Sequence, residues 1–342
     1  MGFLAKIVKG FLPLALTTIT VQLIINSTAV HFERWEIMYS KILVPLDGSD
    51  VAECVLPHVE ALATANNSAT VTFLYAVQPL EVIMAKTAFK DKIESEARAA
   101  AQDYLDHLVS KQKYHESAEA RVVMGKAADA IVDYARKSKA DLVVMATHGL
   151  SGVKRWVRGS VADKVLQEAP VPVWLIRANA PKKGLHKKGQ KMKVLVPLDG
   201  SERAEKALEH ASKLAEQFGK QSVDLTLLRV CELFFPPYTY PPPTPMTWEE
   251  YLGYETKRCK EICQTYLSKV EDKLQQDGLT THREVPAGNV AEAIVDYANK
   301  NNFDLLVMAT HGRSGLGRWA LGSIADKVLS GTNSPILLVR ST

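Results

Sequence analysis

Two stretches carry the same reactive-looking residues in the same order. The first runs Ala146-Thr147-His148-Gly149, then Gly152, Arg155 and Arg158, then Gly159-Ser160. The second runs Ala309-Thr310-His311-Gly312-Arg313, then Gly315, Gly317 and Arg318, then Gly322-Ser323. Each follows an apolar run that reads as a buried strand, Leu142 to Met145 or Leu305 to Met308. Each leads into a helical pattern, Val161 to Leu166 or Ile324 to Leu329. A strand, a glycine-rich loop and a helix N-terminus form a phosphate-binding geometry. Unpaired backbone N–H groups face the anion, and the helix dipole favours negative charge there.

A second pair of groups stands after other strands. Ile42-Leu43-Val44-Pro45-Leu46 ends at Asp47-Gly48-Ser49, and Val194-Leu195-Val196-Pro197-Leu198 ends at Asp199-Gly200-Ser201. Ligands of open α/β sheets bind outside the carboxyl ends of the strands. If the first and fourth strands are neighbours, Asp47 comes to the Gly149 loop and Asp199 to the Gly312 loop. A carboxylate can accept hydrogen bonds from ribose hydroxyls or a base amine, and the glycines can hold phosphates. Plainer readings stand beside these. Asp-Gly-Ser is good turn chemistry. Ser160 and Ser323, each followed three residues later by Asp163 or Asp326, resemble helix N-caps in a capping box. His148 and His311 can serve the turn conformation alone, and the loop arginines can be solvated.

Several chemistries are missing from the sequence. It has no G-x-x-x-x-G-K-[ST] loop and no G-x-G-x-x-G after the first strand. It shows no carboxylate pair, metal-ligand spacing or nucleophile–base pair. Catalytic residues and metal ligands are therefore expected to be none, and any chemistry is expected to be slow or metal-assisted.

The elements that must position these groups come in two sets. Apolar content of 46% and charged content of 23% suit a soluble globular chain with ample core, and a net charge of +4 is too mild to imply nucleic acid. From Lys41 the pattern alternates strand and helix: Ile42–Leu46, a helix with Val55, Val59, Leu62 and Ala63 on one face, Val71–Val77, a long helix through Ile93 and Leu108, Ala120–Val123, a helix from Ala128 to Arg136, Leu142–Met145, a helix, and Val171–Ile176. That is a doubly wound parallel sheet. The pattern then repeats, with an offset of 152 at Asp47/Asp199 and 163 at Gly125/Gly288. The second copy thus carries a net insertion, and the proline-rich arm Phe234–Pro245 is its obvious candidate.

The expected domains are residues 38–177 and 193–342, joined by a lysine-rich linker at 178–192. Residues 1–37 match nothing later. Lysines and then a charge-free segment from Gly10 to Val30 leave three readings open: translation starting at Met38, a membrane anchor, or a cleaved signal or partner helix. Cys54 and Cys231 are isolated in sequence and Cys259 and Cys263 sit one helical turn apart, so four free thiols in a reducing cytoplasm are expected.

The two copies together resemble tandem domains of the universal stress protein family, over about residues 39–342. That family's ATP-binding signature is G-x2-G-x9-G-[ST]. Here it reads Ala146-x2-Gly149-x9-Gly159-Ser160 and Ala309-x2-Gly312-x9-Gly322-Ser323, with alanine at the first glycine of each. The resemblance implies an α/β fold of two five-stranded parallel sheets, each in the order 3-2-1-4-5 with helices on both faces. It implies pairing of domains through their last strands, here Val171–Ile176 and Ile336–Val339, within the chain or between copies. It implies ATP, accompanied by Mg²⁺, at a nucleotide-binding set of Pro45, Asp47, Ala146, His148, Gly149, Gly152, Arg158, Gly159 and Ser160 in the first half. In the second half the set is Pro197, Asp199, Ala309, His311, Gly312, Gly315, Arg318, Gly322 and Ser323. The expected function is a cytoplasmic, nucleotide-dependent stress regulator with a further protein partner. The alternatives are an enzyme with at most weak ATP hydrolysis or autophosphorylation, through Ser160 or Ser323, and an adaptor with empty clefts. Membrane contact enters only through residues 1–37.

Overall fold

The structure, a computed structural model, describes residues 39–66, 68–80, 87–147, 159–177, 190–232, 247–311 and 322–341. The leader, the proline-rich arm, most of the linker and the interiors of both glycine-rich loops lie outside the described residues.

In the first half the strands are β1 (Lys41–Leu46), β2 (Thr70–Val77), β3 (Ala118–Met124), β4 (Leu142–Thr147) and β5 (Val173–Arg177). Its helices are α1 (Leu56–Ala65), α2 (Thr87–Ser110), α3 (Ala127–Ser138) and α4 (Ser160–Glu168). The second half repeats them as β6 (Met192–Pro197), β7 (Val223–Leu228), β8 (Thr280–Glu284), β9 (Leu305–His311) and β10 (Ile336–Ser341). Its helices are α5 (Glu202–Phe218), α6 (Trp248–Gln276), α7 (Val290–Asn301) and α8 (Ser323–Gly331). Each half shows the expected order 3-2-1-4-5, with parallel neighbours. Parallel strands buried on both faces read as continuous apolar runs, which is why β1, β4, β6 and β9 are plain in the sequence.

The halves join in one ten-stranded sheet, β3-β2-β1-β4-β5-β10-β9-β6-β7-β8. The join is antiparallel and short: Ile336 faces Leu175, Leu337 faces Trp174 and Leu338 faces Val173. On one face α3, α4, α7 and α8 pack into a single apolar cluster that runs from Leu43 and Val165 across the join to Leu195 and Val328. Arg177, at the end of β5, also crosses the join. It donates to Asn333 Oδ1 at 2.7 Å and to the Ser330 carbonyl, in α8, at 3.2 Å.

Each half anchors the start of its first strand with an aspartate that precedes its fourth. Asp141 Oδ2 accepts from the Ser40 N–H, the Ser40 hydroxyl and the Lys41 N–H at 3.1, 2.7 and 2.9 Å. Asp304 Oδ2 accepts from the Lys193 N–H at 2.8 Å. These bonds satisfy backbone donors at a strand end that no ladder partner reaches.

The cysteine expectation is corrected. Cys231, just past β7, is bonded to Cys259 in α6, with Cα atoms 5.8 Å apart, while Cys54 and Cys263 are buried thiols. Separation along the chain says nothing about two residues that a strand end and a helix bring face to face.

Candidate functional site

At the top of β1 the chain reverses through Asp47-Gly48-Ser49. Gly48 sits at φ +79° and Gly200 at φ +89°, a region that glycine enters without strain. Asp47 Oδ1 accepts from the Ser49 N–H at 3.0 Å and from its hydroxyl at 2.6 Å. Asp199 Oδ1 likewise accepts from the Ser201 N–H at 2.8 Å. Both aspartates are thus turn residues and are also exposed at the strand ends.

A tyrosine–glutamate pair stands behind each turn, and the sequence reading missed both. Tyr104 donates to Glu53 at 2.9 Å and Tyr266 to Glu205 at 2.8 Å. Burial, and then the carboxylate neighbour, raises both phenol pKa values, so both hydroxyls remain donors. In the first half Tyr75 completes the support. Its ring meets Tyr104 edge-on, and its hydroxyl donates to the Asp47 carbonyl at 3.3 Å.

The helix starts differ from expectation in one detail. The residue flanking α4 is Gly159, at φ −65° and ψ 149°, and the one flanking α8 is Gly322, at φ −60° and ψ 150°. Ser160 and Ser323 are the first helical residues and do not cap. Neither cap position makes a side-chain hydrogen bond. The helical backbone begins at the serine, which sets its side chain on the exposed first turn and leaves the cap position to glycine. The first-turn N–H groups of both helices lie beyond the reach of the intrahelical ladder.

In the first half these parts meet in one cleft of about 170 Å³. Pro45, Leu46 and Asp47 come from the end of β1, Leu74 and Ala76 from β2, and Met145 and Ala146 from β4. Ala127 and Ile131 of α3 and the start of α4, Gly159 to Ala162, close it. Among the described residues the lining is mostly apolar, and Asp47 is its ionisable side chain. The apolar members are legible only as parts of the repeat: Gly125–Ala135 is restated by Gly288–Ala298. In the second half β6 and β9 are neighbours in the register that β1 and β4 use. That places Pro197, Asp199, Ala309, Gly322 and Ser323 as Pro45, Asp47, Ala146, Gly159 and Ser160 are placed. Ile324, 42% exposed, takes the position of Val161.

His148, Gly149, Gly152, Arg158, Gly312, Gly315 and Arg318 lie outside the described residues, and so does the side chain of His311, the last residue of β9.

Fold and cleft define a class: a doubly wound sheet that opens a small apolar cleft between a strand-end aspartate and a glycine-led helix. The sequence profile described as "Universal stress protein family" matches residues 38–177 and 192–340, and the chain belongs to that family. The chain is 32% identical over 148 residues to universal stress protein MJ0531 of Methanocaldococcus jannaschii, covering 43% of this chain and 81% of that one. It is 31% identical over 140 residues to a universal stress protein of Thermus aquaticus, covering 41% of this chain and all of that one. The crystal structure of a universal stress protein from Archaeoglobus fulgidus superposes with a TM-score of 0.64 at 18% identity, over 88% of this chain and 98% of that one. At that identity the likeness concerns the fold.

Proposed function

We propose that the chain is a nucleotide-dependent regulator that binds one ATP in each half. One observation carries this reading: an aspartate turn and a glycine-capped helix start line the same apolar cleft. Such a cleft offers an apolar slot to a base, a carboxylate to ribose hydroxyls, and helix N–H groups to phosphates. The set Pro45, Asp47, Ala146, Gly159 and Ser160 would hold the first nucleotide, and Pro197, Asp199, Ala309, Gly322 and Ser323 the second. The loop residues His148, Gly149, Gly152, Arg158, His311, Gly312, Gly315 and Arg318 complete each proposed set. Mg²⁺ would arrive on the nucleotide's own phosphates. Among the described residues no three His, Cys, Asp or Glu side chains converge to hold a metal by themselves.

Regulation, more than turnover, fits the surroundings of the cleft. The carboxylate in its described lining, Asp47, is engaged by the Ser49 N–H and hydroxyl. The helices that would receive the phosphates, α4 and α8, share one apolar cluster across the join. A shift at one cleft therefore has a packed route to the other. A cytoplasmic location, where ATP is supplied, belongs to the same reading, and so does a further protein partner. Among the described residues no helix is long and apolar enough to cross a membrane.

Calorimetry with Mg²⁺–ATP is expected to give two sites per chain, with phosphate release close to the uncatalysed rate. A single site, or none, would refute the two-site reading; rapid release would favour the enzyme alternative. The variant Gly322→Val separates the second site from the fold. Among the described residues a Cβ at Gly322 meets nothing within 4 Å, and its backbone angles suit any residue, so the fold should tolerate valine. The added methyls stand where a phosphate would sit against the helix start. The expected result is a folded variant whose melting temperature falls only slightly, valine being a poor helix cap, and the loss of one site. A folded variant that keeps both sites at wild-type affinity removes the phosphate role of Gly322.

A further inference from the structure

The two halves diverge beneath their aspartate turns. β6 pairs Lys193 with Asp224 where β1 pairs Lys41 with Thr70. Carried along the strands, that register sets Arg229 where the first half has Tyr75, and Cys231 where it has Val77. The matching Tyr104–Glu53 and Tyr266–Glu205 pairs align α2 with α6. Cys259 and Cys263 then stand where the first half has Ala97 and Ala101. So the disulfide belongs to the second half alone, and the first half has the buried Val77 and the exposed Ala97 at the matching positions.

The bridge sits at a junction. Cys231 joins the end of β8 through backbone bonds: its N–H donates to the Pro286 carbonyl at 2.8 Å, and its carbonyl accepts from the Gly288 N–H at 3.1 Å. Two residues earlier, the Arg229 guanidinium lies over the Tyr266 ring of α6, 4.6 Å from its centroid. The same guanidinium presses on the turn, for a Cβ at Gly200 would stand 2.9 Å from it. The corresponding Cβ at Gly48 would stand 3.7 Å from Tyr75. The disulfide therefore fastens the segment that carries Arg229 to the helix that carries Tyr266, directly under Asp199-Gly200-Ser201. Cys231 is fully buried and Cys259, on α6, is partly exposed. Cys263, one turn along α6, is buried; burial raises its pKa and the Arg229 charge opposes that, so its thiol stays protonated.

We propose that Cys231 and Cys259 form a thiol–disulfide exchange site for small thiols and disulfides, and that its state sets the rigidity of the Asp199 turn. As regulation of the second cleft, this rests on the nucleotide reading above. Reduction takes two exchanges. The thiolate of a small thiol attacks the Cys259 sulfur; the S–S bond breaks, and its electron pair leaves on the Cys231 sulfur, which takes a proton. A second thiolate attacks the small-molecule sulfur of the mixed disulfide, and the Cys259 sulfur leaves and is protonated. Two thiols become one disulfide, and the protein gains two electrons and two protons. A small disulfide reverses both steps. With the bridge open, α6 and the β7 end are held by noncovalent contacts alone, the Arg229–Tyr266 contact among them, and the seat of Arg229 under Gly200 loosens.

The test uses the full chain equilibrated in glutathione buffers of graded redox ratio, acid-quenched, alkylated and mapped by mass spectrometry. The Cys231–Cys259 bridge is expected to open and close reversibly in the native protein, with Cys54 and Cys263 as thiols throughout. Amide exchange across residues 199–205 is expected to rise on reduction by about an order of magnitude, while residues 47–53 stay unchanged. The double variant Cys231→Val with Cys259→Ala, which restores the first half's residues, should show one exchange rate in every buffer. Absence of the bridge at every ratio overturns the proposal, as does exchange at 199–205 that ignores the redox state. Calorimetry separates the two readings. Redox-dependent exchange without ATP binding sinks the nucleotide reading and leaves the switch. Two ATP sites with redox-invariant exchange keep the nucleotide reading and sink the switch.

Discussion

Acidification from about pH 7 to about pH 4 is expected to destabilise the fold strongly, and His58→Leu to remove most of that sensitivity. His58 lies on the inner face of α1 with Val59, Leu62 and Ala63. It is 4% exposed, and its Nδ1 has no hydrogen-bond partner among the described residues. Burial lowers its pKa from 6.5 to about 4. His210 holds the same position on α5, and its pKa is also lowered to about 4, by burial first and then by Lys213 and Lys206, with Glu209 opposing. The Tyr39 hydroxyl lies 2.7 Å from His210 Nδ1. Burial raises the Tyr39 pKa far above its ordinary value, so the phenol keeps its proton and donates it. That bond needs a neutral imidazole. In the unfolded chain both histidines take a proton near pH 6.5; in the fold they resist until about pH 4. Between those values the unfolded state binds more protons, so stability is complete above about pH 6.5 and falls as pH drops toward 4. The loss is roughly 3 kcal/mol for His58 and less for the partly exposed His210. Leucine of similar size also removes the orphaned Nδ1, so His58→Leu should match or exceed wild type by about 1 kcal/mol near neutral pH. Urea melts across this pH range check the prediction. A variant whose stability falls in parallel with wild type would show that His58 is not the group responsible.

How much of this was legible in the sequence varies from residue to residue. Apolar runs such as Leu142–Met145 mark strands because both faces of a parallel sheet are buried. The repeat of Lys41–Ser49 in Lys193–Ser201 makes two sheets out of one reading. The order of the strands came from family resemblance, since periodicity alone does not say which strands are neighbours. The candidate cleft was legible at its polar rim, Asp47 and Gly159-Ser160, and silent at its apolar floor, where Leu74, Ala76 and Ile131 look like any core residues. Ser160 was misread as a cap because glycine and serine both suit that position, and only backbone angles separate them. The Cys231–Cys259 bond depends on how the end of β7 meets α6, which no local pattern encodes. His58 stands beside Val59 with no local pattern to mark it as buried; its burial comes from the fold packed around α1.

The largest stability loss is expected at the join between the halves, from Trp174→Ala. Trp174 is fully buried in the middle of β5, with Val144 beside it on β4 and Leu337 across the antiparallel join. It points away from the apolar cluster that holds Val173 and Leu175, so it fills the core on the opposite sheet face. Truncating a buried tryptophan to alanine removes its transfer free energy and leaves a cavity, together about 3–5 kcal/mol. Position adds a second consequence. The join pairs only three residues on each strand, and Trp174 is the central one on its side. A cavity there weakens the contact that lets the ten strands melt together, while β1 to β4 and β6 to β9 keep their own ladders. Calorimetric unfolding of the variant should therefore split into two transitions where the wild type shows one. Trp174→Phe, which keeps an aromatic ring and drops the indole N–H that has no partner among the described residues, should recover most of the loss and the single transition. An alanine variant that melts in one transition within about 1 kcal/mol of wild type would mean that the halves are held by the helices on either face, and that the strand join contributes little.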